Sequence, residues 1–223
     1  MKHVKSIIII CVIVLIVWGA SYVWRAYTNL RGARPAFGPP AQSSTSFPLT
    51  LPPGFSISIF AKDVGDPRVL VFDPIGTLLV SIPSQGRVVA LPDRNSDGMA
   101  DRIVTVIEGL NKPHGLAFQP TTKKLYIAET DQVAVYDYDQ ETLRASNKKK
   151  IVDLPGGGNH FSRTIGFGPD GRLYISVGSS CNVCVQDDWR RAAILMSDVT
   201  GSNLSRKFSL RVYATVYSLY GIR

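Results

Sequence analysis

Three short stretches of this 223-residue chain hold residue types that could do chemistry. The first is Gly156-Gly157-Gly158-Asn159-His160-Phe161-Ser162-Arg163. Its glycines permit a flat ligand to approach the backbone, His160 can accept a proton, and Arg163 can hold an anionic group. A histidine in such a loop serves equally well as a hydrogen-bonded turn residue. The same two readings apply to His114 in Lys112-Pro113-His114-Gly115. The second stretch runs from Asp93 to Asp101. Read as a calcium loop, it offers side-chain oxygens from Asp93, Asn95, Asp97 and Asp101, a turn at Gly98 and the carbonyl of Met99. The terminal glutamate of a helix–loop–helix hand is replaced by Val104, so any bound calcium is expected to be structural. A plain polar hairpin turn is the competing reading. The third stretch, Cys181-Asn182-Val183-Cys184, could be a redox pair, half a zinc site or a local disulfide. No second ligand pair accompanies it for zinc, and no βαβ pattern surrounds it for thiol exchange. A Cys181–Cys184 disulfide is the expectation for an exported protein.

These residues must be positioned by strands. From Phe55 onward apolar residues alternate in short runs broken by turn signals, and no helical stripe competes. Three segments overlay: Leu70-Val71-Phe72-Asp73-Pro74 then Leu78-Leu79-Val80; Leu116-Ala117-Phe118-Gln119-Pro120 then Leu125-Tyr126-Ile127; Ile165-Gly166-Phe167-Gly168-Pro169 then Leu173-Tyr174-Ile175. The prolines recur after 46 and then 49 residues. A period in the forties with about four short strands per unit predicts an all-β fold, a β-propeller. Arg87 to Leu91 and Arg102 to Glu108 are expected to complete the first blade, and Phe55 to Phe60 to form a leftover strand. Closed propellers need about four to eight blades, whereas this chain has room for about three. Its propeller region, 54–203, is therefore expected to be incomplete, with exposed blade edges that invite self-association.

The rest of the chain reads differently. Ile7 to Trp24 is an uncharged, strongly apolar run of eighteen residues, about 27 Å as a helix, so residues 1–24 are expected to be a membrane anchor or a signal segment. Residues 25–53 form a proline-rich linker in which neither helix nor sheet can propagate. Residues 204–223 carry four basic residues and no acid, and are expected to be an irregular tail. The formal net charge of +8 arises at the ends, where the nine residues Lys2, Lys5, Arg25, Arg31, Arg34, Arg206, Lys207, Arg211 and Arg223 meet no acid, leaving −1 for the stretch between them. The middle is close to neutral, which argues against a groove that reads nucleic acid.

Leu51-Pro52-Pro53-Gly54-Phe55, the Asp93 to Asp101 loop with Arg102, the Gly156 to Ile165 stretch and the run from Phe167 to Cys184 together resemble the glucose/sorbosone dehydrogenases. That resemblance implies a six-bladed propeller, export, pyrroloquinoline quinone as cofactor and a sugar or aldose substrate. It implies that His160 is the catalytic base, with Asn159, Arg163 and His114 expected to bind the cofactor. Ser180 and the cysteine pair place the chain nearer the sorbosone-type branch. The expectation is the amino-terminal part of a membrane-anchored sugar dehydrogenase with its propeller outside the cytoplasm, inactive alone. The alternatives are secretion after cleavage, and a non-enzymatic anchored fragment.

Overall fold

A computed structural model of the chain describes residues 18–21, 23–24, 51–182 and 184–209. Most of the expected anchor, the linker before Leu51 and the tail beyond Ser209 lie outside the described residues. Among the described residues no helix is long and apolar enough to cross a membrane. The chain forms two compact units, 1–58 with 96–98, and 59–95 with 99–223. In the first, Trp18–Ser21 and Val23–Trp24 are helical, and the amide of Phe55 closes a turn by donating to the carbonyl of Pro52 at 3.2 Å. The leftover strand expected from Phe55 to Phe60 does not form. Its alternation is real, but a strand exists only where a neighbour completes its ladder.

The second unit holds three four-stranded antiparallel sheets. The first contains β1 (Val69–Phe72), β2 (Leu78–Ile82), β3 (Arg87–Leu91) and β4 (Val104–Ile107). The second contains β5 (Leu116–Phe118), β6 (Leu125–Ala128), β7 (Gln132–Asp139) and β8 (Arg144–Asp153). The third contains β9 (Ile165–Phe167), β10 (Leu173–Val177), β11 (Ala193–Ser197) and β12 (Ser205–Ser209). Strand order follows sequence order in every sheet, and β5 packs beside both β1 and β9. The first strands of the three sheets thus stand side by side, as the inner strands of consecutive propeller blades do. The segment expected as an irregular tail instead begins with β12, which completes the third blade by pairing with β11. Arg206 and Lys207 on this outer strand face solvent, where charge keeps an edge soluble.

Period-two alternation explains how the blades cohere. On β6, Leu125 and Ile127 join Leu79, Val88, Ala90 and Val106 of the first blade in one core, and all are buried. Tyr126 and Ala128, the intervening residues, join Leu173, Ile175, Val177, Ala193 and Leu195 of the third blade in another. Each blade therefore needs a neighbour on both faces. Burying one such Leu or Ile stabilises the fold by about 1.5–3 kcal/mol. In the first and third blades the hairpins between inner and second strands are closed by aspartates. Asp73 Oδ1 accepts from the amides of Ile75 at 3.0 Å and Thr77 at 2.8 Å, and Asp170 Oδ1 accepts from Arg172 N at 3.2 Å. Asp73 Oδ2 also accepts from the Tyr138 hydroxyl at 3.0 Å, tying the turn of the first blade to β7 of the second.

Candidate active site

The segments leading into β1, β5 and β9 converge at one end of the inner strands. A pocket of about 310 Å³ opens there, lined by Asp66, Arg68, Pro83, Ser84, Lys112 and Phe161. Small-molecule sites begin near about 300 Å³. Lys112 places its ammonium 5.0 Å from the centre of the Phe161 ring, a cation–π contact across two blades. His160 precedes Phe161 and is exposed. Arg68, Lys112 and Phe161 were not singled out by the sequence. Extending the repeat alignment a few residues upstream of each inner strand would have found them, because all three occupy the same lead-in.

Arg163 corrects an expectation. Its side chain is 0% exposed, so it does not reach a ligand in the pocket. Its Nη1 donates to the carbonyls of His160 at 2.8 Å and Ser162 at 2.9 Å, and its Nη2 to that of Pro155 at 2.8 Å. Burial pushes its pKa down to about 10, with the nearby Arg191 cation adding to the shift and Asp131 opposing it. It remains a cation at neutral pH and clamps the loop that exposes His160. Arg191 assists from the other side, donating through Nη2 to the carbonyl of Gly156 at 2.5 Å.

His114 is also a framework residue in this geometry. Its Nδ1 lies 3.2 Å from the carbonyl oxygen of Arg163, and its own carbonyl accepts from Ser81 Oγ at 2.8 Å. These bonds link the lead-ins of the second and third blades and tie them to β2. Burial lowers the His114 pKa, and the Arg163 carbonyl offsets part of that effect. Gly115 is required beside it, since a Cβ there would lie 2.5 Å from the Arg163 carbonyl oxygen.

The loop after β10 packs against His160. His160 Nε2 is 3.0 Å from Oδ1 of Asn182. Asn182 lies between Cys181 and Cys184, which are joined by a disulfide. Asn159 contributes its backbone, its amide donating to the Ser180 carbonyl at 3.0 Å. Two glycines allow the close approach: a Cβ on Gly158 would meet Ser180 Cα at 2.8 Å, and one on Gly178 would meet His160 Cβ at 2.6 Å.

Among the described residues no group of three or more His, Cys, Asp or Glu converges to hold a metal ion. Asp101 closes the turn of the Asp93 to Asp101 loop. Its Oδ2 accepts from the Arg94 amide at 2.9 Å, and its amide donates to the Pro92 carbonyl at 2.8 Å. The part of Asp93, Asn95, Asp97 and Met99 in a calcium site stays an expectation from the sequence.

Consecutive four-stranded blades carry, at one end of their inner strands, a pocket lined by Arg68, Lys112 and Phe161, with the exposed His160 next to Phe161 in sequence. Residues 49–204 match the TrAA12-like family, and the chain belongs to it. The pyrroloquinoline quinone-dependent pyranose dehydrogenase of Coprinopsis cinerea is 26% identical over 167 residues, covering 71% of this chain and 22% of that protein. The holo structure of its quinone domain superposes with a TM-score of 0.55 at 27% identity, covering 62% of this chain and 35% of the other. A calcium structure of the Trichoderma reesei AA12 enzyme gives a TM-score of 0.51 at 25% identity, over 60% of this chain and 35% of the other. The pentonolactonase XacC of Haloferax volcanii is 28% identical over 143 residues, covering 61% of this chain and 43% of that protein. The chain thus spans less than half the length of each of these relatives.

Proposed function

We propose that this chain contributes the histidine-bearing mouth of a quinone-dependent sugar dehydrogenase, with His160 as general base. The observation that carries the reading is the exposed His160 next in sequence to Phe161, which lines a pocket together with Arg68 and Lys112. Pyrroloquinoline quinone is a flat ring system bearing carboxylates, and these residues suit it: two cations for the carboxylates and a ring face for stacking. Bound there, the quinone supplies the hydride acceptor. The chain's own residues do the rest. Arg68 and Lys112 hold negative charge, Phe161 offers its face, and His160 removes the proton of the sugar hydroxyl as that carbon is oxidised. Arg163 and Arg191 fix the loop carbonyls so that the imidazole keeps its place. No step is assigned to calcium at the Asp93 to Asp101 loop.

Quinone binding tests the pocket. Lys112→Ala and Arg68→Ala should each weaken quinone affinity by roughly tenfold, equivalent to about 1.4 kcal/mol. Arg163→Lys, which alters only the frame, should leave a smaller effect on affinity than on stability. Unchanged affinity in both pocket variants would remove the cofactor from this mouth. The apolar run Ile7 to Trp24 supports anchoring in a membrane. Leu70 and Phe72 of β1 and Phe208 of β12 are exposed apolar residues, which supports self-association through the blade edges.

A further inference from the structure

The structure assigns Asn182 as the residue that positions the His160 imidazole, and the Cys181–Cys184 disulfide as the brace that keeps Asn182 there. This deepens the reading of His160 as a base and rests on it. The amide oxygen of Asn182 lies 3.0 Å from His160 Nε2 and can only accept, so the proton of the neutral ring resides on Nε2. Nδ1 then carries the lone pair that takes up a proton. Protonation at Nδ1 leaves the Asn182 bond intact, because Nε2 donates in both states of the ring. Asn182 therefore orients the base without being consumed by its cycle.

The loop carrying Asn182 is fastened at several points besides the disulfide. Ser179 Oγ donates to the Cys181 carbonyl at 2.7 Å, and the Ser180 amide donates to Gln186 Oε1 at 2.8 Å. Gln186 Nε2 donates to the Cys184 carbonyl at 3.2 Å. These bonds hold the two ends of the loop. The disulfide adds the covalent closure across Asn182, between residues three apart, to the Ser180–Gln186 hydrogen bond that also spans it. Cys181 is partly exposed and Cys184 exposed, so a small dithiol can reach them. Reduction would transfer two electrons and two protons from the dithiol to the two sulfurs. It would leave two cysteine thiols and convert the dithiol to its own disulfide. The brace would then be lost, and with it the fixed partner of Nε2.

The test reads the tautomer of His160 by nitrogen–proton correlation spectroscopy on the full chain, with neither quinone nor sugar present. The oxidised protein should show one tautomer, with Nε2 protonated and its signal well separated from that of Nδ1. In Asn182→Ala, and in wild-type protein treated with a dithiol, the two nitrogen signals should move toward a common average. Asn182→Asp retains an acceptor and should restore the single tautomer. A well-dispersed backbone spectrum identifies the variants that remain folded, and the reduced wild type gives the same readout with no substitution at all. Signals unchanged in Asn182→Ala, or unchanged once thiol titration finds both cysteines reduced, would overturn the assignment. Because no turnover is measured, the result stands apart from the dehydrogenase reading. A responsive tautomer with an inert His160→Ala phenotype would defeat that reading alone.

Discussion

Arg163 donates from Nη1 to the carbonyl of His160, three residues earlier, at 2.8 Å. A fully buried cation thus holds the backbone of an exposed imidazole, and the loop between them has little freedom to move. This relationship separates two roles that an Arg and a His in one loop would otherwise share. The histidine faces solvent and the arginine supports it.

Removing the clamp should be costly. Arg163→Ala leaves the carbonyls of Pro155, His160 and Ser162 without this donor, and a buried unsatisfied polar group costs about 1–3 kcal/mol. Urea denaturation should show a loss of roughly 2–4 kcal/mol, allowing for partial rescue by water. A loss below about 0.5 kcal/mol would mean that the loop holds itself.

Stability should depend on pH through His114. Its folded pKa lies below the ordinary value of 6.5 because burial disfavours the charged ring. The folded state therefore binds fewer protons than the unfolded state, and stability rises with pH. The His114 contribution is complete above the unfolded value of 6.5 and declines as pH falls below it, until the folded pKa is passed. His114→Gln should flatten the thermal-denaturation profile in that window. An unaltered profile would show that the ring is not buried in its neutral form.

Gly178 tests the packing of the disulfide loop on the histidine loop. In Gly178→Ala the new Cβ meets His160 Cβ at 2.6 Å and the His160 carbonyl oxygen at 2.9 Å, so one loop must move. The expected outcome is a shift of the His160 ring signals with a stability loss of about 1–3 kcal/mol. The nearby Gly166 has open space at its Cβ position and serves as the contrasting site, where alanine should be tolerated.

Metal removal should leave the first blade intact. Asp101 spends a carboxylate oxygen on the Arg94 amide rather than on a cation, so chelation should not change the melting temperature of this loop's blade. Asp101→Ala should cost about 1 kcal/mol through the lost hydrogen bond, with or without calcium. A calcium-dependent rise in melting temperature that Asp97→Ala abolishes would restore the metal site.

The blades were legible because their signals are local. Asp73-Pro74 and Gly168-Pro169-Asp170 mark hairpins, and alternation from Leu78 and Leu173 marks strands packed on both faces. β12 was not legible, since Ser205 to Ser209 draws its strand character from the ladder with β11 rather than from its own composition. Phe55 to Phe60 fails for the converse reason, having the pattern without a partner. At the site, His160 stood out by residue type. Whether an arginine is buried or presented depends on what the chain folds around it, so the position of Arg163 was not readable. Asn182 gained its role only when the fold brought it beside a residue 22 positions away.

The most direct test of His160 as the base is aldose oxidation by the quinone-loaded chain with an artificial electron acceptor, comparing wild type with His160→Ala. General-base removal should lower kcat by roughly 10²–10⁴-fold while quinone affinity stays within a few-fold of wild type. Wild-type turnover above background would itself overturn the expectation that the chain is inactive alone, and equal measurable rates in the two proteins would contradict the assignment.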